Sequence, residues 1–209
     1  MSEKAKDILE WIYCIIIALV LALLFRYFIA TPTIVKQRSM FPTLKENQRL
    51  ILNRTYRITK AMPERGDIIT FEAPSLSEYP QSEVDQSNPV AKYDYVPSNI
   101  ISKFVYYVVE VTKRSYIKRV IALPGEHVKI ENNAIYINGE KLEEDYLRED
   151  VKTESSKFND FIVPEGYIFA VGDNREHSTD CRAFGCIPVS KLEGKVIFRI
   201  WPFDVFGKM

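Results

Sequence analysis

Residues 116–139 read YIKRVIALPGEHVKIENNAIYING. Three apolar or β-branched runs follow one another here: Tyr116–Ala122, His127–Glu131 and Ala134–Asn138. In the second, apolar and polar residues alternate, the period of a half-buried strand. Asn132-Asn133 separates the second run from the third, and Asn138-Gly139 closes the third. Both dipeptides accept the left-handed dihedrals of a tight hairpin turn. Working outward, similar runs recur at Thr33–Lys36, Arg49–Asn53, Asp67–Glu72, Phe161–Val163, Tyr167–Val171 and Lys195–Trp201. Short runs, frequent turn signals and few helical stretches predict an open or barrel-like, mostly β domain over residues 31–209.

Ahead of that domain, Trp11 to Ala30 reads WIYCIIIALVLALLFRYFIA, with Arg26 its only charge. At about 1.5 Å per residue the run is about 30 Å long, the thickness of a bilayer's hydrocarbon core. It exceeds the apolar core of a cleavable signal peptide, and no Ala-x-Ala follows it. The reading is an uncleaved single transmembrane anchor over 11–30 behind a short tail, 1–10, in contact with membrane lipid. Arg26 can snorkel to the headgroups. Lys4 and Lys6 on one side nearly balance Arg26, Lys36 and Arg38 on the other, so the charges do not orient the span.

Lys+Arg and Asp+Glu number 28 each in the 209 residues, which removes the basic excess expected of a nucleic-acid binder. Apolar residues at 46% and charged residues at 27% suit a globular chain and not a disordered one. Three Cys are too few for a disulfide-dense scaffold, and two His, His127 and His177, argue against a His-rich metal site. Pro74–Asn99, rich in Ser, Pro and acids, reads as a surface loop or insertion. Asn99–Lys113 (NIISKFVYYVVEVTK) is apolar on every face, so helix and strand both fit, as do core packing and contact with a membrane surface. The insertion as a whole is placed at about 74–113. Glu140–Asp160 is charge-rich and reads as a solvated loop or short helix.

Three segments carry chemistry. Ser39 follows the apolar run closely, and Pro42 after it argues that the chain turns there. A serine hydroxyl is a poor nucleophile unless a base takes its proton. In the run Tyr116–Ala122, a strand puts Tyr116, Lys118 and Val120 on one face and Ile117, Arg119 and Ile121 on the other. Both cations then have apolar neighbours. Either one snorkels while the other pairs with an acid, or a lysine is held neutral by burial and serves as a general base. The third segment, Gly172 to Gly185, is a dense polar loop after an apolar strand, the kind of place where sites sit.

Together these segments resemble the membrane-bound type I signal peptidases, a family of Ser/Lys-dyad proteases. The resemblance rests on Ser39-Met40-x-Pro42-Thr43-Leu44, on Tyr116-Ile117-Lys118-Arg119-Val120-Ile121-x-Leu123-Pro124-Gly125-Glu126, and on Gly172-Asp173-Asn174-Arg175-x-x-Ser178-x-Asp180-x-Arg182. Arg65-Gly66-Asp67-Ile68 adds the family's entry to a strand. The resemblance implies Ser39 as nucleophile, Lys118 as general base and Ser178 as the hydroxyl that orients the amine. It implies Asp180 and Arg182 as a supporting ion pair. Val35, Met40, Leu44 and Ile117 match positions lining shallow pockets for small side chains. It further implies a coiled, barrel-like β core, no metal and no cofactor. The substrates would be signal peptides of secretory preproteins, cut on the extracytoplasmic side of the cell membrane.

The sequence departs from the family pattern at two places. Gln37 stands where some members carry Ser or Thr as a side-chain oxyanion donor and others Gly, which leaves the backbone N–H of Ser39 as the surer donor. Cys181 replaces the usual Ser between Asp180 and Arg182, with Cys186 close enough in sequence for a disulfide to be conceivable. Other readings are a Ser/His/Asp hydrolase using His177 with Asp173 or Asp180, a sortase-like cysteine transpeptidase, and a membrane-anchored β domain that binds without cutting. The sortase-like reading lacks that family's Cys motif.

Overall fold

The computed structural model describes residues 3–75, 84–111, 113–149 and 151–209. Helix α1 spans Glu3–Phe28. From Lys6 to Phe28 its mean hydropathy is 2.7 with none of it buried, so it is long and apolar enough to cross a membrane. The Ile29 N–H still bonds the Phe25 carbonyl at 2.8 Å, and Thr31 Oγ1 donates to the Arg26 carbonyl at 2.7 Å. Strand β1 (Ala30–Ile34) starts immediately, earlier than the expected Thr33–Lys36. The apolar Ile29-Ala30 had lengthened the apparent span, but Ala30 is already in register with Asn53.

The rest is mostly β. One antiparallel sheet runs β1, β2 (Arg49–Asn53), β11 (Leu192–Trp201), β3 (Ile68–Glu72), β4 (Ser115–Ala122), β9 (Tyr167–Val171), β10 (Ile187–Pro188), with β12 (Gly207–Lys208) on β11. A second sheet runs β7 (Glu140–Lys141), β6 (Ala134–Ile137), β5 (His127–Glu131), β8 (Asp160–Ile162). Asn132, Asn133 and Asn138 have positive φ, as two tight turns require. Register shifts in β4 and β11 bend the first sheet. The two sheets share a core that includes Phe71, Phe158, Phe161, Phe169 and Phe184. A smaller cluster holds Val35, Met40, Leu44, Leu50, Leu52, Ile68 and Val196, with Ile117 against it.

Two segments depart from expectation or resolve it. Of the 74–113 insertion, residues 76–83 and 112 lie outside the described residues. Its end is helical: Asn99 caps α3 (Ile100–Phe104) by accepting from the Ser102 N–H, and a π-helical turn continues over Val105–Val109. The tyrosine Tyr106 is turned inward to Glu72 at 3.0 Å, whereas Ile100, Ile101 and Phe104 are exposed. Glu140–Asp160 is not simply solvated. Phe158 and Thr153 are buried, and Glu144 pairs with Arg175. Its charge density misled because the partner cation comes from a distant loop.

Candidate active site

Ser39 sits in a compact turn in which Phe41 and Leu44 bond back to Arg38 and Met40 at 3.0 and 2.8 Å. The turn is anchored by Met40 and Leu44, both fully buried in the smaller cluster. It is also gripped from across the molecule. Asn174 donates its backbone N–H to the Ser39 carbonyl and its side-chain Nδ2 to the Arg38 carbonyl, both at 3.0 Å. The main chain of Ser39 is therefore fixed while its hydroxyl is left to other uses.

Lys118 lies in the middle of β4, opposite Ile69 of β3. Only 2% of it is exposed. Its Nζ stands 2.8 Å from Ser39 Oγ and 5.2 Å from the centre of the Tyr116 ring. No carboxylate among the described residues pairs with it. Burial lowers its pKa to about 8, against the pull of Asp180 and Asp173, which favour the charged form. Those two acids are engaged elsewhere. Asp173 takes Arg119 through two bonds, at 2.9 and 2.7 Å. Asp180 takes Arg182 at 2.8 and 2.9 Å and accepts the Gly172 N–H at 3.1 Å. Arg182 in turn donates to the Arg175 carbonyl at 2.7 Å, so one network holds the whole loop.

Ser178 Oγ is buried and has no hydrogen-bond partner among the described residues, so it does not bond Lys118 in this arrangement. It packs against Gly172. A Cβ on Gly172 would stand 2.5 Å from the Ser39 carbonyl oxygen and overlap Ser178 Oγ. Gly172 therefore lets the end of β9 approach the Ser39 backbone, a role the sequence reading did not assign. Asn174 was missed in the same way. Both lie within the quoted loop motif, but only the fold shows what they touch.

Gln37 is exposed and borders a cavity of about 260 Å³ together with Ser39, Tyr116, Lys118 and His177. A second groove, of about 380 Å³, runs between β1 and β4 past Val35, Gln37, Tyr116 and Ile117. Met40 and Leu44 lie beneath these surfaces, fully buried, and not on the groove's wall. His177 is exposed, and Asp173 and Asp180 face arginines, so no Ser/His/Asp relay is assembled. Cys181 and Cys186 are buried free thiols, and no disulfide joins them. Burial raises both thiol pKa values, and Cys181 Sγ accepts the Ala170 N–H at 3.2 Å. Among the described residues no group of three His, Cys, Asp or Glu converges as a metal site.

The family described as signal peptidase, peptidase S26, matches residues 8–201. Signal peptidase IB of Staphylococcus aureus (strain COL) is 31% identical over 96% of this chain and 93% of its own length. The probable signal peptidase I-1 of Synechocystis sp. is 33% identical over 96% of this chain and 86% of its own. Among solved structures, a signal peptidase I from Enterococcus faecalis V583 is 27% identical, with a TM-score of 0.39, over 65% of this chain and 97% of that one.

Proposed function

The chain belongs to the signal peptidase family, peptidase S26, and is a serine peptidase; from that premise we propose that it removes signal peptides at a membrane surface with Ser39 as nucleophile and neutral Lys118 as base. The observation that carries this reading is the 2.8 Å approach of a buried, carboxylate-free amine to a serine hydroxyl.

The steps follow from that geometry. With its proton gone, the Lys118 amine has a lone pair to accept the Ser39 O–H proton as Oγ attacks the scissile carbonyl. The Ser39 N–H is not spent on another backbone group among the described residues, and it supports the oxyanion; Gln37 at the cavity mouth is a second, weaker candidate. Protonated Lys118 then gives its proton to the leaving amine, and water hydrolyses the acyl-enzyme with the same base. Val35 and Ile117 supply apolar walls for small substrate side chains, while Met40 and Leu44 back them from below. Ser178 completes the lysine's surroundings once a small reorientation gives its hydroxyl a partner. Asp180 and Arg182 keep the loop in shape. In this reading α1 spans the membrane once, residues 1–10 lie in the cytoplasm and the β domain lies outside. Substrate signal peptides share the same bilayer, which turns the search for the cut site into a local encounter.

The test uses the full chain in lipid and a preprotein with an Ala-x-Ala site. The product's new N-terminus is sequenced for wild type, Ser39→Ala and Lys118→Ala. Cleavage after the second Ala by wild type alone is expected. Cleavage by either variant at the wild-type rate would refute the dyad.

A further inference from the structure

A third cavity, of about 550 Å³, opens where α1 meets the β domain, away from the Ser39–Lys118 pair. Its walls include Tyr27 at the end of α1, Arg57 of α2 (Tyr56–Thr59), Lys60, Tyr107 of the insertion helix, Lys113 and Lys191. The cations outnumber the acids. Glu110 is shared by Arg54, at 2.8 Å, and Arg57. Glu72 takes Lys191 at 2.8 Å, Lys113 at 3.5 Å and the Tyr106 hydroxyl at 3.0 Å. Glu193 takes Lys113 at 2.9 Å. Once these acids are engaged, Lys60 remains exposed with no carboxylate partner among the described residues.

The surroundings point to a particular ligand. Arg57 donates to the Tyr27 carbonyl at 3.4 Å, and its guanidinium lies 4.3 Å over the Tyr27 ring, so the cationic wall is fastened to the last turn of α1. Ile58 and Met62, next to the lining Arg57 and Ala61, and Phe104, three residues before Tyr107, are exposed and apolar. A hollow with spare positive charge and an apolar rim thus sits where an apolar span would leave the hydrocarbon. That is the level of lipid phosphates.

We propose that this cavity binds the phosphate of an anionic phospholipid headgroup, with Lys60 supplying the uncompensated charge and Arg57 and Lys191 flanking it. A free phosphate presents the same oxyanion, and the experiment separates the two sources. The inference rests on α1 being the membrane span, which alkaline extraction of membranes tests independently: release of the chain would refute the span.

The site itself is tested on the full-length protein in a neutral detergent by calorimetric titration. The probes are soluble dihexanoyl phosphatidylglycerol, dihexanoyl phosphatidylcholine and inorganic phosphate. One anionic lipid per chain is expected, bound at least roughly tenfold more tightly than the zwitterionic one, a difference of about 1.4 kcal/mol. Lys60→Glu should weaken phosphatidylglycerol by roughly tenfold or more, and Lys60→Arg should restore it. Lys141→Glu makes the same charge change at an exposed residue of β7 and should leave binding unchanged. Displacement of the lipid by millimolar phosphate would support the site with free phosphate as its source; no displacement would support it with lipid as its source. Equal affinity for the two lipids, or equal effects of Lys60→Glu and Lys141→Glu, would overturn the proposal.

Discussion

Lys113 and Lys118 flank the start of β4, and both side chains are buried, but they are buried in different company. Around Lys113 the protein supplies acids: Glu193 at 2.9 Å and Glu72 at 3.5 Å. Around Lys118 it supplies a hydroxyl and a ring, while the acids nearby are turned to Arg119 and Arg182. A buried cation with acids beside it stays charged and holds structure together. A buried cation without them is pushed toward its neutral form and becomes available for proton transfer. The arginines are what make the difference, because they occupy the acids that would otherwise fix a proton on Lys118.

That contrast can be broken first at the two lysines. Lys118→Met should abolish cleavage, by at least about a thousandfold, since on the proposed reading it removes the base that activates Ser39. It should leave the denaturation midpoint unchanged or raised, because an unpaired buried charge is replaced by an apolar chain. Lys113→Met should do the reverse, costing about 3–5 kcal/mol of stability by stranding Glu193 while reducing cleavage far less. Paired urea melts and cleavage assays read both; a stable Lys113→Met protein would show that the two regions are not opposites.

Gly172→Ala comes next. The new Cβ must displace the Ser39 carbonyl or Ser178, and if Ser39 is the nucleophile a displacement of about 1 Å there costs on the order of a hundredfold in rate. The kcat of the folded variant measures it. A variant as active as wild type would show that the loop can retreat freely.

The pH dependence separates the two lysines in a second way. With Lys118 at about 8, kcat/KM should climb as pH rises through 8 and level off above it. Stability should move the same way. The unfolded lysine titrates near 10.5 and the folded one near 8, so between these values the unfolded chain holds the extra proton. Stability attributable to Lys118 therefore rises with pH across that window, and the cost of its buried charge is full below it. Subtracting the Lys118→Met profile isolates this slope, and a difference flat from pH 7 to 11 would contradict it. The smallest effect is expected at His177. Exposed and without an acid partner among the described residues, it should be replaceable by Ala with cleavage changed no more than a few-fold; near-total loss would restore the Ser/His/Asp reading.

Much of the fold was legible where local pattern and final environment agree. Arg49–Asn53, His127–Glu131 and Tyr167–Val171 are strands with the expected ends, each bounded by residues that turn the chain. The two-residue strands β7, β10 and β12 exist only because a partner lies beside them, and no periodicity can show that. The chain from Asn99 to Val111 was ambiguous because it faces two ways, with Tyr106 turned in and Ile100 and Ile101 turned out. At the site, the residue types and their order along the chain were readable. The clearances were not: that Asn174 clasps two carbonyls and that Gly172 leaves no room for a methyl are facts about segments far apart in sequence.

One further consequence lies in the junction of α1 and β1. A single residue, Ile29, separates helix from strand, and Thr31 and Arg57 bolt the joint through the carbonyls of Arg26 and Tyr27. The domain therefore does not swing on a tether. On the proposed reading, with α1 in the bilayer and Ser39 as the nucleophile, the joint would act as a ruler: Ser39 would be held at a set height, and the cut would fall at a set number of residues beyond the substrate's own apolar segment. Three glycines inserted after Ile29 would loosen the ruler, and the sequenced N-termini of the products would spread over neighbouring bonds.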